Sequence, residues 1–363
     1  MFPFGIDLAD LSLKIVQLKK RQGNVGVATF VFVPLPSEVL VQGEVKDSDK
    51  IASIIKNALK NAQYKKIKGR LAIASLPETK AFLRVITIEK NKNYKKEDIQ
   101  ETIKIETEQH IPFKLNEVYL DADLVFEDEK QIKFLVSAVS KKIVEGYLDV
   151  FKKAKIIPLA LEIESIATSR ALIFDPSLYI KEKNTISLAE SILIIDLGSK
   201  TTSFIIVREG IPRFTKSIPL ASVNLTKAIQ DALKISFQKA EKIKKRYGLN
   251  AAAYKGKVFA SLKPHLDQVI KEINEILSFY EIKNNKDEER KIKKIFLCGG
   301  SANLKGLSDF LSVGLKRTVE KGNPLINLSF KEKELSPIAK NKILNFTTGI
   351  GLALRGVWDG ELV

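Results

Sequence analysis

The chain has 363 residues, 45% hydrophobic and 28% charged, which describes a folded globular protein long enough for two domains, since single cores stop growing at roughly 250 to 300 residues. One cysteine and two histidines exclude an intramolecular disulfide and argue against a zinc site. The net charge of +17 suits an anionic partner such as nucleic acid or a membrane surface, but the lysines are interspersed with glutamates, as in KKEDIQETIKIETEQ, and equally describe a solvated surface.

The N-terminal residues predict a three-strand meander. The strands are FPFGIDLA, LSLKIVQLKK and VGVATFVFVP, and a Gly23-Asn24 turn separates the last two. Apolar residues spaced along one helical face then predict a helix over 48–63. The segment GRLAIASLP follows as a buried strand that runs into Pro77.

The next segment predicts a compact αβ insertion. It contains a strand in AFLRVITIE, a charged helix at 94–110, strands near 117–126 and 131–139, and a helix at 140–154. After it, IIPLALEIESIATSRAL predicts one more strand and a helix.

The pattern of the N-terminus then returns. When LIIDLGSKTTSFIIV is laid on FGIDLADLSLKIV, Asp196 matches Asp7 and Thr201 matches Ser12, so the chain contains an internal duplication. The third strand, GIPRFTKSIP, leads into helices at about 221–234, 236–247 and 262–281. The segment KIKKIFLCGGSANLKGLSDFLSVGL then predicts strand, Gly-Gly turn and helix, and NFTTGIGLALRGV predicts a last helix.

Each copy of the duplicated hairpin carries a carboxylate at the end of a buried strand. A tight turn of small and hydroxyl residues can direct backbone N–H groups toward phosphates, while the carboxylate beside it reaches a Mg²⁺ ion. For a single hairpin, Asp196 and Gly198 could equally be turn residues. The duplication favours phosphate loops, and Gly299-Gly300, at a strand-to-helix turn, would let a ring or phosphate approach the backbone.

The motifs GIDLADLSLKIV, IIDLGSKTTSFIIV and IFLCGGSANLKGL resemble the phosphate-1, phosphate-2 and adenosine motifs of the actin-like ATPase superfamily, over nearly the whole chain. Their order and the chain length resemble the type IV pilus assembly family PilM, a relative of the cell-division protein FtsA. The resemblance implies an α/β fold, a duplicated actin-like (ribonuclease-H-like) ATPase fold with two domains around a nucleotide cleft and an inserted αβ subdomain of the FtsA/PilM type.

On this resemblance we expect the first domain to comprise 1–77 and 156–188 and the inserted subdomain to comprise 78–155. The second domain would cover 189–363, including a helical subdomain at about 221–290.

The resemblance also assigns the site. ATP and Mg²⁺ are the implied cofactors, with Asp7 and Asp196 facing the metal and Glu164 near the attacking water. Residues implied to contact the nucleotide are Asp7, Ala9, Asp10, Ser12, Lys14, Asp196, Gly198, Ser199, Lys200, Thr201, Glu241, Lys244, Gly299, Gly300 and Ser301. Without the family, Glu241 and Lys244, three apart on one helix, are equally read as a surface ion pair.

Ala9 and Asp10 depart from the family's first loop, which has glycine and a small hydroxyl there. A carboxylate near the phosphates would weaken nucleotide binding roughly five-fold to several-hundred-fold at effective dielectric constants between 20 and 80. In the alternative, Asp10 points to solvent or helps to hold Mg²⁺ and has no such effect.

The resemblance implies an ATP-binding scaffold of the type IV pilus machinery with slow ATPase activity at most. It would bind the N-terminal cytoplasmic tail of the inner-membrane protein PilN and other inner-membrane platform proteins of the pilus, and would relay its nucleotide state. Whether it forms a homo-oligomer stays open. The implied alternatives are an FtsA-like division scaffold and a small-molecule kinase, for which the sequence offers no clear catalytic Asp.

No apolar stretch reaches the roughly 20 residues needed to cross a bilayer, and no signal-peptide pattern precedes the first strand. Nor does the sequence show the basic amphipathic helix by which FtsA attaches to membranes. We therefore expect an unprocessed cytoplasmic protein that reaches the inner membrane only indirectly, through partners. Basic runs broken by acidic residues argue against a nucleic-acid partner.

Overall fold

The computed structural model of the protein describes residues 2–62, 64–90, 99–111, 114–173, 190–282, 291–329 and 338–358. Within these residues, two five-stranded sheets form the centres of two domains, and a three-stranded sheet forms a smaller body. None of the helices described there is both long and apolar enough to cross a bilayer.

The first sheet begins with the predicted meander and is followed by one helix and one more strand. The elements are β1 (Phe4–Ala9), β2 (Ser12–Arg21), β3 (Asn24–Pro34), the short ribbon β4 (Leu40–Val41) and β5 (Glu44–Val45), α1 (Ser48–Lys60) and β6 (Leu71–Leu76). Helix α1 starts where Asp47 Oδ1 accepts a hydrogen bond from Lys50 N at 2.9 Å, and it ends at Lys60, earlier than predicted. Its buried Ile51 and Ile55 pack on the sheet.

The inserted segment forms an antiparallel sheet with its own small core. Its elements are β7 (Ala81–Glu89), α2 (Ile99–Glu108), β8 (Val118–Glu127), β9 (Gln131–Ser140) and α3 (Lys141–Ala154). The strand order is β7-β9-β8, and Ile86, Ile103 and Val136 meet in the core. Part of the helix predicted at 94–110 lies outside the described residues. Tyr147 and Phe151 of α3 are buried in the core of the first domain.

The chain then returns to the first sheet and repeats its path in a second sheet. The elements are β10 (Ile157–Ile163), α4 (Glu164–Leu172), β11 (Ser191–Leu197), β12 (Thr202–Arg208), β13 (Ile211–Ile218), α5 (Ser222–Leu233), α6 (Phe237–Tyr247), α7 (Lys257–Ile282), β14 (Ile292–Cys298), α8 (Leu307–Leu315), β15 (Val319–Lys321) and α9 (Thr347–Trp358). The sheet orders are β10-β6-β1-β2-β3 and β13-β12-β11-β14-β15. The two orders correspond strand for strand, which confirms the internal duplication.

Helix α7 starts five residues earlier than the sequence predicted. Val258 and Leu262 are fully buried in the core of the second domain. Tertiary packing therefore continues the helix on the N-terminal side of Pro264, a residue that local propensity disfavours inside a helix.

Helix α9 follows the second sheet in sequence but packs on the first one. A Cβ added to Gly5 of β1 would lie 2.3 Å from Gly349 O, and one added to Gly351 would lie 1.8 Å from Ala167 O of α4. Between the two helices, Thr168 Oγ1 and Thr348 Oγ1 are 3.0 Å apart. We propose that α9, like α3, be counted with the first domain, whereas the sequence assigned them to the second domain and the insertion.

The close approach of α9 to α4 predicts that alanine substitutions at two helical glycines, Gly351 and Gly146, change the free energy of unfolding differently. Alanine in place of either glycine raises helix propensity by up to about 1 kcal/mol. In Gly351→Ala the new methyl group meets the α4 backbone, so we expect a net loss of about 1–3 kcal/mol in the free energy of unfolding. In Gly146→Ala of α3 the methyl group would lie 3.5 Å from Val45 Cβ, an ordinary contact, so stability should be unchanged or higher.

Urea unfolding of both variants and the wild type measures this difference. Equal stability of Gly351→Ala and Gly146→Ala would contradict the close approach of α9 to α4.

Candidate functional site

A cleft of about 1750 Å³ lies between the two domains, at the ends of the duplicated hairpins. Every residue that the sequence assigned to the site lines this cleft: Asp7, Ala9, Asp10, Ser12, Lys14, Glu164, Asp196, Gly198, Ser199, Lys200, Thr201, Glu241, Lys244, Gly299, Gly300 and Ser301. Their roles toward a ligand stay predictions. The cleft is larger than the usual 300–1,000 Å³ of a small-molecule pocket, so its volume accommodates a nucleotide with bound ions and water.

In the first hairpin a carboxylate and a lysine face each other across two strands. Asp7 of β1 pairs in register with Lys14 of β2, and Lys14 Nζ lies 2.8 Å from Asp7 Oδ2. Asp7 is only 3% exposed. Burial opposes the charge of Lys14, but the Asp7 carboxylate outweighs burial and the net effect raises the Lys14 pKa.

The loop of the second hairpin is fixed against the first turn of α5. Gly198 N donates to Thr201 O at 3.0 Å, which closes the turn, and Val223 N donates to Ser199 O at 3.0 Å. The N-terminal end of α5 therefore lies beside the cleft. The positive end of a helix dipole favours an anion at such a position.

The backbone conformation and the close packing at Gly299 leave no room for a side chain. The φ of this glycine is +79°, and an added Cβ would lie 2.2 Å from Asp196 Oδ1 and 2.7 Å from Leu197 O. At Gly300 the nearest atom to an added Cβ would be Asn345 Oδ1, at 3.5 Å. Of the two glycines, only Gly299 is needed for a close approach, and the group that comes close to it is the Asp196 carboxylate.

Asp10 connects three parts of the cleft wall. Its carboxylate accepts hydrogen bonds from Gln42 N at 3.0 Å and Gly43 N at 2.8 Å. Lys200 Nζ, from the hairpin of the other domain, lies 3.6 Å from Asp10 Oδ2. The alternative in which Asp10 points to solvent is therefore wrong. A lysine and two backbone N–H groups already stabilise the negative charge of Asp10.

Glu241 and Lys244 form a buried network between α6 and α5. Lys244 is 4% exposed, so the reading as a surface ion pair is wrong. Lys244 Nζ lies 2.8 Å from Glu241 Oε2 and donates to Ser222 Oγ at 2.6 Å and Thr226 Oγ1 at 2.7 Å. Burial would raise the pKa of Glu241, but the charge of Lys244 and the hydrogen bonds it receives lower it to about 2.

Glu78, which the sequence analysis did not include, joins Glu164 at the edge of the cleft. Glu164 Oε2 accepts from Glu78 N at 3.3 Å, and Glu78 Oε2 accepts from Ser165 N at 3.1 Å. The two carboxylates thus cap the starts of two neighbouring segments. The sequence feature that could have indicated Glu78 was its position directly after a buried strand and Pro77.

The segment before α9 also lines the cleft and was not expected there. Asn345 Oδ1 is buried and has no hydrogen-bond partner among the described residues. It lies beside Gly300 in the wall of the cleft.

Lysines outnumber acidic residues over the cleft lining as a whole, but the ends of β1, β10 and β11 carry a local excess of negative charge, because Asp7, Glu164 and Asp196 lie there with one buried lysine, Lys14. Burial raises the pKa of Asp196 to about 6; the charge of Asp7 adds to this and that of Lys14 opposes it. Burial also raises the pKa of Glu164 well above its usual value, with contributions from Asp7 and Asp196.

A divalent cation would offset this excess of negative charge. No group of three or more His, Cys, Asp or Glu residues poised to hold a metal occurs in the described part of the chain. The arrangement fits Mg²⁺ held by one or two carboxylates together with substrate phosphates and water, and it does not fit a metal enclosed by protein ligands alone.

A family model described as Type IV pilus assembly protein PilM matches residues 5–357. Among curated proteins, the cell division protein FtsA of Pseudomonas aeruginosa is 27% identical over 182 residues, which are 46% of this chain and 42% of FtsA. The chain thus spans less than half of that relative.

Solved structures share the fold at low identity. A PilM-PilN type IV pilus biogenesis complex superposes with a TM-score of 0.79 at 24% identity, covering 98% of this chain and 99% of that one. EutJ of Carboxydothermus hydrogenoformans gives 0.56 at 16% identity, with coverage of 98% and 89%. MreB5 of Spiroplasma citri bound to AMPPNP gives 0.55 at 12% identity, with coverage of 99% and 98%. These neighbours confirm the actin-like α/β fold.

Desolvation of the cleft carboxylates predicts a pH-dependent gain in stability for Asp196→Asn. The pKa of Asp196 rises from 3.8 to about 6, so the folded state keeps this proton over a pH range in which the unfolded chain has lost it. The group's contribution to the free energy of unfolding therefore falls as pH rises through that range. We expect the variant to gain about 1–3 kcal/mol near neutral pH and almost nothing near pH 4, measured by urea unfolding.

Asp128→Asn provides a control of opposite sign. Hydrogen bonds from the N–H groups of Lys130 and Gln131 lower the pKa of Asp128. Its stabilising contribution is present at neutral pH and is lost as pH falls below the usual range, so the amide variant should be less stable at neutral pH. Identical pH profiles for the wild type and Asp196→Asn would contradict the burial of an ionised carboxylate in the cleft.

Proposed function

Since the chain belongs to the PilM family of type IV pilus assembly proteins, we propose that it is an ATP-binding scaffold that holds the tail of a PilN-like inner-membrane protein and responds to its nucleotide state. The observation that carries the proposal is the convergence of both duplicated hairpins and the Gly-Gly turn on one cleft. The family model does not favour the FtsA-like alternative or a small-molecule kinase.

The residues of the cleft fit Mg²⁺ and the phosphates of ATP. Asp7 and Asp196 would hold the ion, which supplies positive charge between the two carboxylates and the phosphates. The loop of Gly198 to Thr201 would bind phosphate oxygens, and Lys14 would add a fixed positive charge. The complex of MreB5 with AMPPNP, a protein of the same fold, supports a nucleotide as the ligand.

Turnover would be slow. Glu164, the acid that the family resemblance places near the attacking water, is already engaged by the protein: its Oε2 accepts a hydrogen bond from Glu78 N at 3.3 Å. A carboxylate held in this way is less free to orient a water molecule. The cleft is therefore better suited to binding a nucleotide and holding a conformation than to rapid hydrolysis.

The partner tail would lie between the inserted subdomain and the first domain. Strands β8 and β10 are both at the edges of their sheets in the described part of the chain, and Asp123 of β8 lies close enough to Glu162 of β10 for their charges to interact. Ile157 and Leu159 of β10 are 54% and 53% exposed. Unpaired strand edges with alternating apolar side chains are suited to an extended peptide.

One junction of the chain joins this groove to the cleft. Glu162, at the end of β10, forms a bidentate ion pair with Arg170, and Arg355 Nη1 of α9 lies 3.4 Å from its Oε1. Glu164, two residues later, lines the nucleotide cleft. A shift of this junction on nucleotide binding would change both sites, which supports a relay of nucleotide state.

Nucleotide binding is tested with Asp196→Ala. We expect the affinity for a fluorescent ATP analogue in the presence of Mg²⁺ to fall by at least tenfold, because the carboxylate that would hold the ion is lost. Asp267→Ala, on the exposed surface of α7, is the control and should bind as the wild type does. Equal binding by the wild type and Asp196→Ala, with or without Mg²⁺, would show that the site is misplaced.

Partner binding is tested with a synthetic peptide of the PilN N-terminal tail and Leu159→Asp. The substitution places a charge in the proposed groove, and since Leu159 is half-exposed it should not unfold the protein. We expect peptide affinity to fall by at least tenfold in a fluorescence anisotropy titration. Val313→Asp, at a position 79% exposed on the second domain, makes the same chemical change elsewhere and should have no effect. Equal peptide affinities for the two variants would locate the tail elsewhere.

A further inference from the structure

One long stretch of the first domain carries positive charge alone. Every charged residue from 51 to 77 is lysine or arginine. In several other segments lysines form ion pairs with nearby acidic residues, for example Lys153 with Asp49 at 2.8 Å and Lys263 with Asp267 at 2.6 Å. The stretch therefore differs from the solvated surface that the composition first indicated.

Residues 64–70 of this stretch, here called the basic loop, are held in a defined conformation. Lys65 N donates to Thr29 Oγ1 at 3.1 Å. Gln17 Nε2 donates to Lys68 O at 2.8 Å, and Lys68 N donates to Gln17 Oε1 at 3.1 Å. Ile67 is buried, 5% exposed. The backbone of the basic loop is thus fixed to β2 and β3, Ile67 is buried beneath it, and the charged side chains extend outward.

The cations of the basic loop are exposed and unneutralised. They are Lys65, Lys66, Lys68 and Arg70. In the parts of the chain that the structure describes, none of these four forms an ion pair. Tyr64, 60% exposed, lies beside them, with Lys65 Nζ 5.7 Å from its ring centroid. A fixed cluster of unpaired cations around an exposed tyrosine attracts an anionic surface.

The basic loop lies at the end of the domain away from the cleft. It leads directly into β6, and Ile157 N at the start of β10 donates to Arg70 O at 2.8 Å. The cleft residues Glu78 and Glu164 follow the opposite ends of these same two parallel strands. Lys155, exposed just before β10, adds to the positive surface. A bound nucleotide therefore leaves this face open.

We propose that the basic loop docks the protein on a membrane surface that carries anionic phospholipid headgroups. Lysine and arginine near such a surface each increase binding about fivefold, and tyrosine favours the membrane–water interface. The loop contains one exposed ring, Tyr64, and not the several stacking rings that single-stranded nucleic acid requires. On the function proposed above, the tail of an inner-membrane protein would also hold the chain beside such a membrane, and two weak contacts together give stable attachment.

The test measures sedimentation of the full chain with lipid vesicles, without any partner protein. Vesicles of phosphatidylcholine with about one third phosphatidylglycerol are compared with pure phosphatidylcholine at about 0.1 M salt, where screening still permits attraction at short range. In the loop variant the four cations are replaced by glutamine: Lys65→Gln, Lys66→Gln, Lys68→Gln and Arg70→Gln. We expect the partition coefficient on anionic vesicles to fall about a hundredfold or more, because four fivefold contributions are lost. Pure phosphatidylcholine should bind neither protein.

A control variant removes the same charge from the exposed surface of the second domain, with Lys257→Gln, Lys263→Gln, Lys271→Gln and Lys316→Gln. It should retain most of the wild-type partition coefficient. Equal losses in the two variants would reduce the effect to net charge and overturn the proposal. Unchanged vesicle binding by the loop variant would also overturn the proposal. If that variant then loses binding to polyuridylate, the basic loop is a nucleic-acid surface. The PilN tail peptide should bind the loop variant as it binds the wild type.

A second measurement does not depend on loss of binding. Tyr64→Cys can be labelled with an environment-sensitive dye, because the single cysteine of the sequence, Cys298, is buried. Emission should shift to the blue on anionic vesicles and stay unchanged on pure phosphatidylcholine. A dye that stays in water while the protein sediments with anionic vesicles would overturn the proposal.

Discussion

Acidic side chains are held close together at the ends of buried strands, and the two sheets must keep them there. Asp7, Asp196 and Glu164 line the cleft with the buried cation Lys14, and Glu78 lies behind Glu164 at its edge. Such an arrangement is unfavourable in the free protein, because burial and mutual repulsion both oppose ionisation. The two sheet cores that carry these strands supply the stability that holds the carboxylates in place, and a cation accompanied by phosphates would relieve the strain.

The two halves of the chain are joined by contacts of different kinds. Lys200 of the second hairpin reaches Asp10 of the first, and α9 extends from the second half to pack on β1 and α4 through Gly349 and Gly351. The helix packing is tight and apolar, whereas the Lys200–Asp10 contact is long and partly exposed.

The three proposed contacts of the protein all involve the first domain, and the tail site adjoins the basic loop where Ile157 N donates to Arg70 O. The nucleotide would bind at the carboxyl ends of the strands, the partner tail between β8 and β10, and the anionic membrane at the basic loop. Glu162 and Glu164, at one junction, connect the first two. The basic loop is anchored separately, through Thr29 and Gln17, so membrane attachment should not depend on nucleotide state.

Local periodicity, turn residues and repeated motifs in the sequence predicted the duplicated strand-hairpin pattern and most helices and strands, and the resemblance to actin-like ATPases added the family and the residues that line the cleft. How those residues act on one another depends on contacts that form only in the folded chain. Burial turned Glu241 and Lys244 from a surface pair into an internal network, brought two backbone N–H groups to Asp10, and made Gly299 necessary for Asp196. The fold also brings Glu78 to Glu164 and packs α9 on the first sheet. Each of these depends on contacts between residues distant in the chain, whose desolvation and distances no local pattern encodes.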